Sequence, residues 1–396
     1  MKKILSMMMV FVAFAMLLTG CGGPKMPKDT LAAVYVDIPQ ALENGIDFIE
    51  AAIKKLPKGD SKEIGDKLKE FLDDHKDDFR DIDPKWAVFM VCGDKKNEPR
   101  PAFVVKADFG AEISAIGDKS VQKFISEKAT KYSKKINSSS VYVEGEFMMT
   151  VVDDKYLIGV VYEKPYRYSY RGNSSDAHAE DVSDERGEEL MSKLISLYRD
   201  NEGETSDDFD DLDDLDGDAI ARLQVASLGT LVDLFDVRDM VMDFGKKCED
   251  EDLIEDLLDM GQLTFDVYLS DDIVGYRFEL DAGSEDFAKA IEGLFKVVVF
   301  LDRIGTDLCI AMPELLGNDI ERGIGSGVKQ ELRYTPLSGL SFSEIAKVIG
   351  RVAKHFRYDI DRGGSEVAVE CVVETDKMID AIVPMIEDIF SKVCSH

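Results

Sequence analysis

The residues best suited to chemistry in this chain are its clustered carboxylates. From Asp200 to Asp218, 11 of 19 residues are acidic and none is Lys or Arg. Calcium takes about six to eight oxygen ligands. Asp210, Asp211, Asp213, Asp214, Asp216 and Asp218 offer them within one short stretch. A calcium-loop register with its glycine at Gly217 fails at both ends, because Leu212 stands where the first acid belongs and Leu223 where the closing glutamate belongs. The favoured reading is a solvated, self-repelling linker, with calcium as the competing one. Phe209, Leu212 and Leu215 recur every third residue. That stripe suits a docking partner, or partial helix formation against the protein's own surface.

Other reactive types are sparse. His75, His178, His355 and His396 show no metal-ligand spacing. No Ser/His/Asp or Cys/His arrangement can be assembled, and acid pairs are too numerous to single out a glycosidase dyad. No catalytic residue is assigned, and no cofactor other than calcium is implied. Gly323-Ile324-Gly325-Ser326-Gly327 lacks the Lys-Ser/Thr ending of a phosphate loop and reads as a flexible loop. Beyond Cys21, five cysteines remain: Cys92, Cys248, Cys309, Cys371 and Cys394. An odd count without a CxxC pair argues against a disulfide framework. Cys92 and Cys371 fall in strand patterns, where a thiol behaves as a small apolar side chain.

The amino terminus is more specific. Lys2 and Lys3 precede an apolar run from Ile4 to Leu18 that is interrupted only by Ser6. A bilayer-spanning helix needs about 20 apolar residues, so the run suits a signal peptide. Leu18-Thr19-Gly20-Cys21 resembles the lipobox of bacterial lipoproteins. The resemblance implies cleavage between Gly20 and Cys21 and acylation of Cys21. Two or more acyl chains hold a protein stably on a membrane. Gly22 follows the cysteine where inner-membrane retention favours Asp, so the expected address is the periplasmic face of an outer membrane, or else the cell membrane. Residues 21–29, with Gly22-Gly23-Pro24, read as a short flexible tether.

Charge narrows the partners. The formal charge is −31, and losing Lys2 and Lys3 with the signal makes it −33. Such a body repels nucleic acid and anionic head groups. Tyr166-Arg171 interleaves aromatics and cations, but the charge and the exported address favour a strand extension or a surface patch over a nucleic-acid site, with saccharide or peptidoglycan contact as the alternative.

The elements that would position these residues alternate in type. Leu31–Val36 reads as a strand. Leu42, Ile46, Ile49, Ile53 and Leu56 share one helical face, and a second such face runs from Ile64 to Phe79 and includes His75. Trp86–Cys92 and Ala102–Phe109 read as strands, with Trp86 in the core, and a helix carries Val121 to Tyr132. Phe147–Val152 and Tyr156–Val161 form a hairpin about Asp153-Asp154, followed by a helix near Glu185–Tyr198. Leu263–Leu269 and Val274–Leu280 alternate as a second hairpin, and the helix after it carries Phe287, Ile291, Leu294 and Val298. A third copy has a strand at Leu337–Phe342, a helix, the alternating runs Phe356–Ile360 and Val367–Val373, and a final helix from Thr375.

The expected fold class is therefore α+β: duplicated strand–helix–hairpin–helix units whose antiparallel sheets are covered by helices. The expected organisation is a signal peptide (1–20), a tether (21–29), an amino-terminal domain (30–162), an acidic, partly disordered linker with one helix (163–219), and a carboxy-terminal domain (220–396) of two units, 220–335 and 336–396. The plan, opening on the alanine-rich strand of Leu31 to Pro39, resembles uncharacterised repeat-containing bacterial envelope lipoproteins, and that resemblance brings no activity with it. The expected function is a non-catalytic binding or structural role in the cell envelope, serving an envelope protein or polymer. The alternatives are an apolar-ligand carrier and a divalent-metal-dependent hydrolase.

Overall fold

A computed structural model of the chain describes residues 23–56, 83–93, 99–112, 119–128, 133–144, 147–161, 185–234, 261–311 and 342–394, with isolated residues between 62 and 70 and at 242 and 258. The signal segment, Gly20 and Cys21, most of the helix expected at 64–79, the Tyr166–Arg171 patch, the Gly323–Gly327 loop and all but the last residue of the strand expected at 337–342 lie outside the described residues, and that last residue, Phe342, opens a helix.

The fold is α+β. Twelve strands form one antiparallel sheet in the order β11-β12-β10-β9-β8-β1-β2-β3-β7-β6-β5-β4. The strands are β1 (Thr30–Val36), β2 (Trp86–Cys92), β3 (Arg100–Lys106), β4 (Ser133–Ile136), β5 (Ser139–Glu144), β6 (Phe147–Val152), β7 (Tyr156–Val161), β8 (Ala219–Val225), β9 (Leu263–Leu269), β10 (Ile273–Asp281), β11 (Arg357–Gly363) and β12 (Glu366–Glu374). The helices are α1 (Ile38–Lys55), α2 (Val121–Lys128), α3 (Glu185–Ile195), α4 (Leu228–Leu234), α5 (Glu285–Ala311), α6 (Phe342–Ala353) and α7 (Thr375–Cys394). The boundary expected at 163–219 falls between β7 and β8, yet β1 pairs with both β2 and β8. One sheet therefore runs across both halves instead of a separate sheet in each unit.

Strand register explains how the core is divided. Directly opposed residues share a face. One row reads Tyr35, Val88, Val104, Ile158 across β1, β2, β3 and β7. The same row continues the other way from Tyr35 as Arg222, Asp266, Arg277, Glu370 across β8, β9, β10 and β12. This face is apolar in the amino-terminal half and alternately charged in the carboxy-terminal half. On the opposite face, the adjacent row is apolar throughout: Val369, Phe278, Phe265, Leu223, Val34, Phe89 and Phe103.

Each half covers the face that needs covering. In the amino-terminal half, α3 buries Leu190, Met191, Leu194 and Ile195 in the cluster that holds Trp86 and Val88. Trp86 is buried as expected, with Tyr198 of the π-helical turn Ser196–Asp200 beside it at 6.1 Å between ring centroids. In the carboxy-terminal half, α5 lays Ala288 and Ile291 on Leu263, Leu280 and Val367, and Phe295 meets Phe278 edge-on. Both sheet edges are charged, with Lys134 and Lys135 in β4 and Arg357, Asp359, Asp361 and Arg362 in β11. Such edges discourage pairing with another chain.

The helix expected to carry Val121 to Tyr132 is described over Val121–Lys128, and Tyr132 lies outside the described residues. Two local expectations change. The β4–β5 hairpin has no alternating apolar pattern to announce it. Its turn rests on Asn137 and Ser138 at φ 46° and 66°, the left-handed region that two-residue hairpins use. In α5 the inward face is Ala288, Ile291 and Phe295, while Leu294 and Val298 point outward. Helical spacing marks an apolar stripe, but α5 has more apolar residues than one stripe can hold.

Candidate functional site

An apolar concavity lies on the continuous apolar face, near the centre of the sheet. It has a volume of about 350 Å³ and is lined by β1, β2, β3, β6, β7 and β8, with Val34, Phe89, Val91, Phe103, Phe147 and Leu223 among its walls. Its lining exposes no polar surface. The volume falls near the lower end of the range for small-molecule sites, about 300–1,000 Å³.

The trough is built by sequence alternation. Phe89 and Phe103 are directly opposed across β2 and β3, with ring centroids 6.1 Å apart, and Phe147 lies 6.1 Å beyond Phe103. Phe103 can lie flat toward β7 because its opposed residue is Gly159. A Cβ at Gly159 would stand 2.1 Å from the Phe103 ring. Phe147 is 41% exposed. The signal for this arrangement was present in the sequence as glycine within the apolar strand Tyr156–Val161, since a strand glycine marks close approach by a neighbour. Its significance appears only when register sets it opposite Phe103.

A second apolar surface lies on the outward side of α5. Leu294, Val297, Val298, Phe300, Leu301 and Ile304 are all exposed, Phe300 at 62%. No described helix is long and apolar enough to cross a membrane.

The acidic tract is not a solvated linker where the structure describes it. Residues 201–218 form a strap across the sheet. Phe209, in the 3₁₀ turn Asp207–Phe209, is 2% exposed and Leu212 is fully buried, both in the core cluster of the amino-terminal half. Leu215 packs against the same cluster. The every-third-residue stripe is thus taken up by the protein's own surface. Its calcium candidates Asp210, Asp211, Asp213, Asp214, Asp216 and Asp218 stay exposed. Among the described residues, no group of three or more His, Cys, Asp or Glu side chains is placed to hold a metal ion. Burial pushes the Asp213 carboxyl upward, and its neighbours Asp214 and Asp211 add to the shift.

No family model matches the chain, and no curated protein matches it. Three solved structures of TP0453 align with it. Crystal form I covers 93% of this chain and 96% of that one at 10% identity, with a TM-score of 0.33. Crystal form III gives 8% identity and 0.35 over 93% and 97%, and crystal form IV gives 9% and 0.34 over 93% and 95%.

Two buried thiols have polar neighbours. Cys371 is buried on the apolar face, and Tyr276 and Tyr358 hydrogen-bond to it. Tyr358 donates in turn to Asp302 of α5. Burial pushes the Cys371 thiol up, away from the reactive thiolate. Cys92 is also buried, 3.6 Å from the Thr30 hydroxyl, and its thiol is pushed up to about 12 by burial. Both thiols are free, as their strand positions suggested, and neither is suited to nucleophilic work.

Proposed function

We propose that this chain is a lipid-anchored, extracytoplasmic envelope protein that performs no chemistry of its own and binds an apolar chain in the trough at the centre of its sheet. The observation that carries this reading is the trough, whose walls are wholly apolar. A site lined only by Val, Phe, Ala, Leu, Met and Pro side chains offers no acid, base or nucleophile, and it favours a ligand whose transfer from water is driven by area burial, at about 25 cal/mol per Å². The Leu18–Cys21 lipobox supplies the anchor in this reading, with the periplasmic face of an outer membrane as the favoured address.

Native mass spectrometry of protein purified from membranes tests the ligand. The expected result is a bound lipid or fatty acid, lost in Val34→Arg, which places a charge on the trough floor. Protein that carries no apolar adduct, and takes up none from a fatty-acid probe, would rule out the carrier. Metabolic labelling with palmitate, and its loss in Cys21→Ser, tests the anchor.

A second reading rests on the exposed row of α5: a scaffold that docks an envelope protein there. Crosslinking from a photoreactive residue at Val297 separates the two, since a carrier should give no dominant protein adduct.

A further inference from the structure

The residues that follow the lipobox do not form the loose spacer their composition suggests. Gly22-Gly23-Pro24 reads as flexible, yet from Gly23 onward the chain is built into the fold. Met26 is 2% exposed and belongs to the core cluster of the amino-terminal half. The buried hydroxyl of Tyr198 donates to the Lys25 carbonyl at 2.8 Å and accepts from the Lys25 amide at 3.0 Å. Pro27 pairs with Thr205 as an antiparallel bridge. The Lys28 amide donates to the Glu204 carbonyl at 3.1 Å, and the Ser206 amide donates to the Met26 carbonyl at 3.0 Å. Gly23 lies so close to the Asp213 carboxylate that an added Cβ would fall 2.3 Å from its Oδ2.

Only Gly22 separates Cys21 from Gly23. Successive Cα atoms are about 3.8 Å apart, so the Cys21 Cα lies within about 8 Å of the Gly23 Cα. A lipid anchored at Cys21 sits at the level of the head groups. We propose that the docked segment 23–29 acts as a rigid stand-off that holds the strap 201–214 against the lipid head-group layer, so that the protein rests on the membrane in one orientation instead of swinging on a tether. This rests on the anchored reading above. The occupant of the surface follows from the length of chain left free: a body joined by two peptide steps keeps the strap beside Gly23 within reach of the head groups, and only undocking Met26 and the Lys25–Tyr198 pair would lengthen that reach. The exposed side chains of the strap include Glu204, Asp207, Asp208, Asp210 and Asp213, so the head groups that suit it are zwitterionic, and anionic ones are repelled.

The test uses the full acylated chain, purified from membranes and placed in phosphatidylcholine vesicles that carry an acceptor dye on their head groups. A donor dye is attached through a click-reactive unnatural residue at Glu202 in the strap, or at Asp361 on the β11 edge. Transfer from position 202 should be about twofold or more above that from 361. Inserting twenty Gly/Ser residues between Gly22 and Gly23 adds about 25 Å of mean reach and should erase the difference. Tyr198→Phe with Met26→Asp, which undocks the segment without lengthening it, should erase part of it. Equal transfer from both positions in the acylated, vesicle-bound protein, or a difference indifferent to the insertion, overturns the stand-off while leaving the anchor intact. Protein that carries no acyl chain and does not bind vesicles brings down both.

Discussion

Asp266 grips Arg222 through two parallel hydrogen bonds, Nε to Oδ1 at 2.7 Å and Nη2 to Oδ2 at 2.8 Å, directly across the β8–β9 pair. Both side chains are buried, and Arg222 Nη1 also donates to the Asp211 carbonyl in the strap. The pair thus joins the sheet to the strap, where the face changes from apolar to charged. Removing one partner leaves the other charge buried. Asp266→Ala should cost about 3–5 kcal/mol, whereas replacing both residues with apolar ones of similar size should cost far less. Urea denaturation of the single and double variants measures the difference.

The strap should behave as part of the core. Leu212→Ala removes a fully buried side chain and should cost about 2–5 kcal/mol. Asp210→Asn or Asp214→Asn, at exposed positions, should stay within about 0.5 kcal/mol. Millimolar calcium should raise the melting temperature by no more than about 2 °C, because a ligand stabilises only above its dissociation constant. Thermal scans with and without the ion decide this.

Gly159→Ala should disturb the trough more than its single methyl suggests. The added Cβ meets the Phe103 ring, which must swing into the trough. Overpacking of this kind costs about 1–3 kcal/mol. The same variant should weaken uptake of an apolar fluorescent probe, read by titration alongside Phe147→Ala, which opens the trough instead.

Asp37 caps α1, accepting from the Gln40 amide at 3.1 Å, yet burial holds its carboxyl above the usual range. A carboxyl raised in the folded state binds a proton more tightly there than in the unfolded chain. Its contribution to stability therefore falls as pH rises from the unfolded value, about 3.9, through the raised folded one. Asn keeps the cap without the charge. Asp37→Asn should match or exceed the wild type at pH 7 and lose that advantage near pH 4, whereas Asp37→Ala should cost about 0.5–2 kcal/mol at pH 7. Denaturant midpoints across pH 4–7 test the sign.

The outward row of α5 adds little to folding. Phe300→Ser and Leu301→Ser should each change stability by no more than about 0.5 kcal/mol, since both side chains are mostly exposed. A larger loss in denaturant titration would mean that the row is covered.

Several elements were legible from local pattern alone. Alternation in Leu263–Leu269 and Val274–Leu280 gave both strands and the shared face, because the period of a strand is two and one face is apolar. The β6–β7 hairpin followed from two apolar runs about Asp153-Asp154, which take φ 52° and 53°. The thiols of Cys92 and Cys371 were placed by the strands that carry them. These are properties of neighbours in sequence, and side-chain period reports them directly.

What tertiary structure decided is pairing between distant segments. Pattern could not say that β1 would accept β8 on its free edge and so fuse two expected domains into one sheet, because edge compatibility is common to all the strands. Nor could composition show that Met26 or Leu212 would be buried. A glycine-rich start and an Asp-rich tract both look solvated residue by residue, yet Met26, Phe209 and Leu212 join one core cluster, and the start is tied 173 residues ahead by the Lys25–Tyr198 hydrogen bond. Burial is a property of the assembled surface, and the chain specifies it only once the strands have chosen their neighbours.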